Sequence, residues 1–204
     1  MPPQDPRDRA DAAPLDRELL QRIRSRDPEA LETFFDHYYD RIYGHVARLI
    51  QDAHLAEDLT HEILLRINRA LDRLDPDRDP TGWVFTVATN CVRDHWRSRR
   101  HKEASRSTAL TSDHLEVLPD NNEDAEEQLV RRQQQEAVRH ALAELSDNDR
   151  EVILLRDYEQ LDSSTVATII GIKPEAVRQR HSRAVTRLGH AYRQYMEREN
   201  RADP

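Results

Sequence analysis

Four residues near the end of the chain have the types and the spacing to read nucleic-acid bases. Arg178, Gln179, Ser182 and Arg183 recur at steps of three and four, which on a helix places them along one stripe. Arg can grip a guanine edge bidentately, Gln can do the same to adenine, and Ser can serve either. The opposite stripe carries Val177, Ala184 and Leu188, a face suited to packing. Lys173, Arg180 and Arg187 add charge suited to phosphates or to surface ion pairs. His181 falls in register with the apolar stripe. It is therefore either a hydrogen-bonded core histidine or partly exposed on a rotated helix.

The residues just before this helix set it in place. Gly171-Ile172-Lys173-Pro174 joins a residue that tolerates positive φ to one pre-shaped for the first helical position. From Leu145 to Leu188 the pattern reads helix, turn, helix, turn, helix, with the last helix strongly basic. That is the pattern of a DNA-binding helix-turn-helix. Ser146-Asp147-Asn148-Asp149 opens it with the spacing of a helix cap, an Asp standing where Glu or Gln is usual.

A second basic stretch precedes it. From Pro80 to Arg106, six cations (Arg93, Arg97, Arg99, Arg100, Lys102, Arg106) face two acids, a local charge of +4. From Gly171 to Arg193, six cations face one acid, a local charge of +5. Between them, Asp113 to Glu127 holds seven acids and no Lys or Arg. The net charge of −8 thus conceals two basic modules on an acidic tether, an arrangement that gains from effective concentration on one ligand. Other chemistry is sparse. Cys91 and His95 stand at i, i+4, a candidate metal pair without a third ligand, and the ten His form no cluster. No Gly-rich phosphate loop or nucleophile motif occurs, so neither catalysis, metal nor cofactor is expected.

The elements that must carry these residues read as helices. Charged residues make up 34% of the 204, and Gly only 4 positions, which predicts an all-α fold of two small domains. A helix is predicted from Asp27-Pro28 to Ile50, burying Leu31, Phe34, Phe35, Tyr38, Ile42, Val46 and Leu49. A second spans Ala53 to Leu74, burying Leu55, Leu59, Ile63, Ile67 and Leu71. Asp75 to Pro80, with two prolines, is a loop, and a third helix runs from Thr81 to Arg100. Helices then follow at Glu123 to Leu145, Asp147 to Tyr158, Ser163 to Ile170, and from the turn to Glu197. Residues 1–13 and 198–204 read as tails, 14–103 and 127–197 as domains, and 104–126 as the linker. A lone cysteine fits a reducing cytoplasm. The polar start lacks a signal-peptide core, and no apolar run is long enough for membrane insertion.

Three segments together resemble a known family. Asp52 to Arg66 is similar to the helix by which sigma-70-type sigma factors bind core RNA polymerase. Trp83-Val84-Phe85 through Asn90, Asp94 and Arg97 to Arg100 resembles the helix that meets the minus-ten promoter element, and Leu145 to Leu188 resembles the minus-thirty-five-binding domain. With only these two domains, the chain is identified as a member of the small extracytoplasmic-function group. His61, Gly82, His181 and the stretch Pro174-Glu175-Ala176 before Val177 depart from the family's usual residues.

The resemblance implies a factor that directs promoter-specific initiation. It implies that Asp58, His61, Glu62 and Leu65 meet the polymerase. It implies that Arg78 and Asp79 of the loop, with Asn90, form a pocket for a flipped base, an unstacking that costs a few kcal/mol. Trp83 and Phe85 either stack on bases or pack in the core, and Arg97, Arg99 and Arg100 contact phosphates. Its implied partners are core RNA polymerase, promoter DNA and an anti-sigma factor. Two other classes fit the residues alone: an autonomous helix-turn-helix regulator, which would bind DNA tightly as a dimer, and a helical adaptor, which has no use for two basic helices.

Overall fold

The computed structural model describes residues 15–104 and 125–202, and for 100–104, 125–128 and 200–202 the backbone alone. The predicted tail 1–13, almost all of the predicted linker 104–126 and the last two residues lie outside the described residues. The chain divides into two compact units, with residues 15–104 in one and 125–202 in the other.

Among the described residues, the regular elements of the first unit are all helices. It comprises α1 (Arg17–Arg24), α2 (Pro28–Ile50), α3 (Ala53–Arg69) and α4 (Thr81–Ala104). Each start of the first three helices has its own cap. The side chains of Asp16, Asp27 and Asp52 accept from the amides of Leu19, Ala30 and Leu55 at 2.7, 3.0 and 3.0 Å. Between α2 and α3 stand only Gln51 and Asp52, with Gln51 left-handed at φ 61°, so the two helices pack as a hairpin. The buried stripes interlock: Phe34, Tyr38, Ile42 and Val46 from α2, Leu59, Ile63 and Ile67 from α3, and Val84, Phe85, Ala88 and Val92 from α4.

Several expectations shift. Helix α1 carries no predicted counterpart; eight residues are too few for periodicity to stand out, yet Leu20 and Ile23 are buried and α1 packs on α2. The second helix does not reach Leu74 in α-form. It ends at Arg69 and tightens into a 3₁₀ turn at Leu71–Arg73, which buries Leu71 and Leu74. Leu55 is only half-buried, and Ala56 and Thr60 take its place on the inner stripe. The Thr60 hydroxyl is satisfied by donating to the Ala56 carbonyl at 2.7 Å.

The second unit is built on α8 (Pro174–Ala202), against which α5 (Ala125–Ala143), α6 (Asp147–Ile153) and α7 (Ser163–Ile170) all pack. The helix after Ser146 is not α-helical to Tyr158. From Leu154 to Tyr158 it widens into a π-turn, with the Glu159 amide donating to the Leu154 carbonyl at 3.0 Å. Helix α8 extends past Glu197 through residues read as tail. Gly171, at φ 74°, closes α7 in the left-handed conformation, and Asp162 caps the start of α7 through the amides of Ser164 and Thr165.

Arg150 joins two of these helices. Its guanidinium donates to the carbonyls of Leu142, Ala143 and Leu145 at 2.7, 3.0 and 3.0 Å, at the end of α5. Carbonyls there have no intrahelical donor, so a buried Arg satisfies them. Burial lowers its pKa, partly offset by Asp147. Replacing Arg150 with Leu is expected to cost about 3 kcal/mol, since it orphans buried acceptors. Thermal melting of the full chain followed by circular dichroism checks this, and a loss below about 0.5 kcal/mol would refute it.

Candidate functional site

In the helix-turn-helix unit, Val177 and Ala184 of α8 are buried and Leu188 is half-buried. Arg178, Gln179, Ser182 and Arg183 are exposed, and together they line a shallow, open depression on the helix. Their partners are local and exchangeable. Arg178 donates to Glu175 at 3.0 Å, and Arg183 Nε to the Gln179 carbonyl at 3.3 Å. An exposed ion pair of this kind is worth at most about 1 kcal/mol, so a phosphate or base edge can displace it. Lys173 is exposed in the turn.

Arg187 is placed differently. It donates to Asp149, whose side chain is 10% exposed, and so serves as the counter-charge of a nearly buried carboxylate on α6. Of the two roles open to Arg187 in the sequence, the geometry favours an ion pair within the unit. His181 is half-buried, and its Nε2–H donates to both oxygens of Asp157, at 2.9 and 2.8 Å. It is thus both partnered and partly exposed.

In the first unit, Asp58, His61, Glu62 and Leu65 are all exposed on α3, opposite Ile63 and Ile67. Leu65 is 54% exposed, and Tyr39 of α2, 36% exposed, brings its ring to 6.5 Å from His61. This mixed face, acidic with apolar side chains exposed, suits a protein partner. Tyr39 escaped the sequence reading, although its place one residue off the buried Phe34–Tyr38–Ile42 stripe was a legible signal. Glu62 is not free. Arg66 donates to it at 2.6 Å and to Asp94 of α4 at 3.1 Å, and Asp94 also accepts from Arg97 at 3.4 Å.

The loop before α4 is held by short polar ties. The Asp75 side chain accepts from the Asp77 amide at 3.0 Å and pairs with Arg78 at 3.4 Å, while Asp77 pairs with Arg17 at 2.9 Å. Asp79 accepts from the Thr81 amide at 2.8 Å, and the Thr81 hydroxyl meets Tyr38 at 2.9 Å inside the unit. Arg78 and Asn90 are exposed. Asn90 stands nine residues beyond Thr81, about 13 Å along the helix axis. Among the described residues no hydrogen bond joins it to the loop.

Phe85 is removed from any stacking role. It is fully buried, 5.1 Å from the His45 ring with the Arg41 guanidinium 5.6 Å over its face. Trp83 is half-buried, and Arg97 and Arg99 are exposed; the side chain of Arg100 lies outside the described residues. Cys91 is buried, and burial pushes its thiol up to about 11, which keeps it protonated at neutral pH. Among the described residues no group of three or more His, Cys, Asp or Glu could hold a metal, and no helix is long and apolar enough to cross a membrane.

Residues 34–102 match the family model of sigma-70 region 2, and residues 135–188 match that of sigma-70, region 4. The chain is 29% identical over 169 residues to the RNA polymerase sigma factor CarQ of Myxococcus xanthus, covering 83% of this chain and 92% of that protein. It is 30% identical over 159 residues to the ECF RNA polymerase sigma factor SigL of Mycobacterium tuberculosis, covering 78% and 86%. Among solved structures, it is similar to the sigma factor RpoE in complex with the anti-sigma factor NepR from Bartonella quintana. The TM-score there is 0.67 at 20% identity, over 79% of this chain and 96% of that one. A second, CnrH in complex with the cytosolic domain of CnrY, gives 0.60 at 22% identity, over 86% and 95%.

Proposed function

The chain belongs to the sigma-70 family, in its extracytoplasmic-function group, and from that premise we propose how its residues divide the work of promoter-specific initiation. The unit of residues 14–103 binds core RNA polymerase and the minus-ten element; the unit of residues 127–197 reads the minus-thirty-five element. The α3 face of Asp58, His61, Glu62 and Leu65, widened by Tyr39, docks on the polymerase. Arg78, Asp79, Asn90 and Trp83 receive the opened minus-ten strand, and Arg97, Arg99 and Arg100 hold its phosphates. The chain itself catalyses nothing; the polymerase forms the bonds, and the factor works beside it in the cytoplasm. An anti-sigma factor that covers the same faces is the expected regulator, since one sigma factor of similar fold is solved with such a partner.

One observation carries the reading of the second unit: α8 turns Arg178, Gln179, Ser182 and Arg183 outward while burying Val177 and Ala184. The test is run-off transcription on genomic fragments by core polymerase with and without the chain. Discrete transcripts that depend on the chain are expected, and their absence would overturn the proposal.

The stripe also yields a prediction for base reading. If Arg178 or Arg183 grips a guanine, its replacement by Ala costs about 1–3 kcal/mol and relaxes preference at one upstream base pair. A phosphate contact would instead weaken all promoters alike and flatten the salt dependence. At least one of Arg178→Ala and Arg183→Ala is expected to change preference, and Arg187→Ala is not, because Arg187 is committed to Asp149. Each variant is scored against single-base changes in the upstream element; uniform loss for both Arg178 and Arg183 would refute base reading by either.

A further inference from the structure

The contact between Asp157 and His181 has no place in the functions assigned above, and it joins two unusual features. Asp157 sits in the π-turn Leu154–Tyr158, between α6 and α7. The π-turn carries an extra residue per turn, so it re-aims the side chains that follow relative to an α-helical continuation. Its position is held independently: Arg156 donates to the Leu161 carbonyl at 2.8 Å, and the Leu161 amide donates to the Leu155 carbonyl at 3.0 Å. His181 lies at the seam of α8. Rotation of roughly 100° per residue puts it between the buried line of Val177 and Ala184 and the outward Arg178, about 60° from the latter.

A carboxylate only accepts, so the His181 Nε2 in contact with it bears the proton. The bond reaches both oxygens and spans 24 residues of sequence. The pair does not fill the core. His181 is half-buried and Asp157 exposed, so an apolar side chain at position 181 would pack as well or better. What the hydrogen bond adds is direction: van der Waals packing is non-directional, whereas a bond to a carboxylate held in a braced turn depends on where its donor points. Arg178 is one turn away on α8, and a roll of a few degrees moves the end of its long side chain further than the backbone.

We propose that Asp157 and His181 are positioning residues for base reading: their hydrogen bond fixes the rotation of α8, so that Arg178, Gln179 and Ser182 meet base edges in one register. This rests on the reading of α8 given under Proposed function. Neither residue touches DNA in this role; each acts through the helix.

The experiment uses holoenzyme assembled from core polymerase and the full chain. A promoter library randomised in the upstream element is scored by run-off transcription, beside the melting temperature of each chain. His181→Leu and Asp157→Ala are expected to melt within a few degrees of the unchanged chain. Both should lose discrimination at one or more upstream base pairs by about five- to tenfold, with transcription from the best sequence reduced far less. Asp157→Asn keeps an acceptor oxygen and is expected to restore most of the discrimination. Unchanged base preference in His181→Leu and Asp157→Ala overturns the proposal, as does a uniform loss across the library. Asp157→Asn failing as fully as Asp157→Ala also overturns it. Failure of the underlying reading looks different: the unchanged chain would then select no upstream sequence at all.

Discussion

A chain carrying Asp58→Lys and Glu62→Lys is expected to lose co-purification with core RNA polymerase by at least about a thousandfold in affinity, roughly 4 kcal/mol. Both carboxylates are exposed on the outer face of α3. Like charges brought together at an interface cost several kcal/mol. Folding is expected to survive, because the ion pair that Glu62 makes among the described residues is the exposed one with Arg66, and exposed pairs contribute at most about 1 kcal/mol. Circular dichroism separates the two effects: helicity stays, and the complex goes. Undiminished co-purification of the folded double variant would move the polymerase interface off this face. Leu65→Ala and Tyr39→Ala, which remove exposed apolar surface without altering charge, are expected to weaken the same complex more mildly.

The first unit is expected to lose stability steeply between pH 6.5 and pH 4.5, and His45 is the reason. Its ring is fully buried against Phe85, and neither ring nitrogen has a hydrogen-bond partner among the described residues. Burial, helped by the nearby positive Arg48, lowers its pKa from 6.5 to about 3. Between those values the unfolded chain binds a proton that the folded chain refuses. Stability is therefore full above pH 6.5 and falls as the pH drops toward 3, by about 2 kcal/mol at pH 5 from this residue alone.

His45→Leu removes both the unsatisfied nitrogens and the titration. It is expected to be at least as stable as the unchanged chain at pH 7 and clearly more stable at pH 5. Both tryptophans, Trp83 and Trp96, lie on α4, so their fluorescence reports this unit within the full chain. Urea midpoints for the two proteins should diverge as the pH falls; parallel curves would refute the assignment. Carboxylates with lowered pKa, such as Asp27 held by the Ala30 amide, contribute equally to both chains and cancel in the comparison.

Most of the long helices and their buried faces could be read from residue spacing alone. The stripes Phe34–Tyr38–Ile42 and Ile63–Ile67 were legible because burial selects apolar residues at the helical period. Asp27, Ser146 and Gly171 were legible as helix ends because capping is a matter of a few neighbouring residues. The outward stripe of α8 was legible for the same reason: a helix with one packed face leaves the opposite one to solvent or ligand. Those are local rules.

Which polar groups meet across the fold is visible only once the helices have packed. Asp157 and His181 are 24 residues apart, Arg66 and Asp94 are 28, and Asp149 and Arg187 are 38. No periodicity links such partners, and a cation written into a helix looks the same whether it will grip a phosphate or a buried carboxylate. Arg187 and His181 were ambiguous in the sequence for this reason: the carboxylates they meet, Asp149 and Asp157, lie far away along the chain. Phe85 fell to the core by the same logic. An aromatic at the border of a stripe goes wherever the neighbouring helix leaves room, and that room exists only once α2 and α4 have packed.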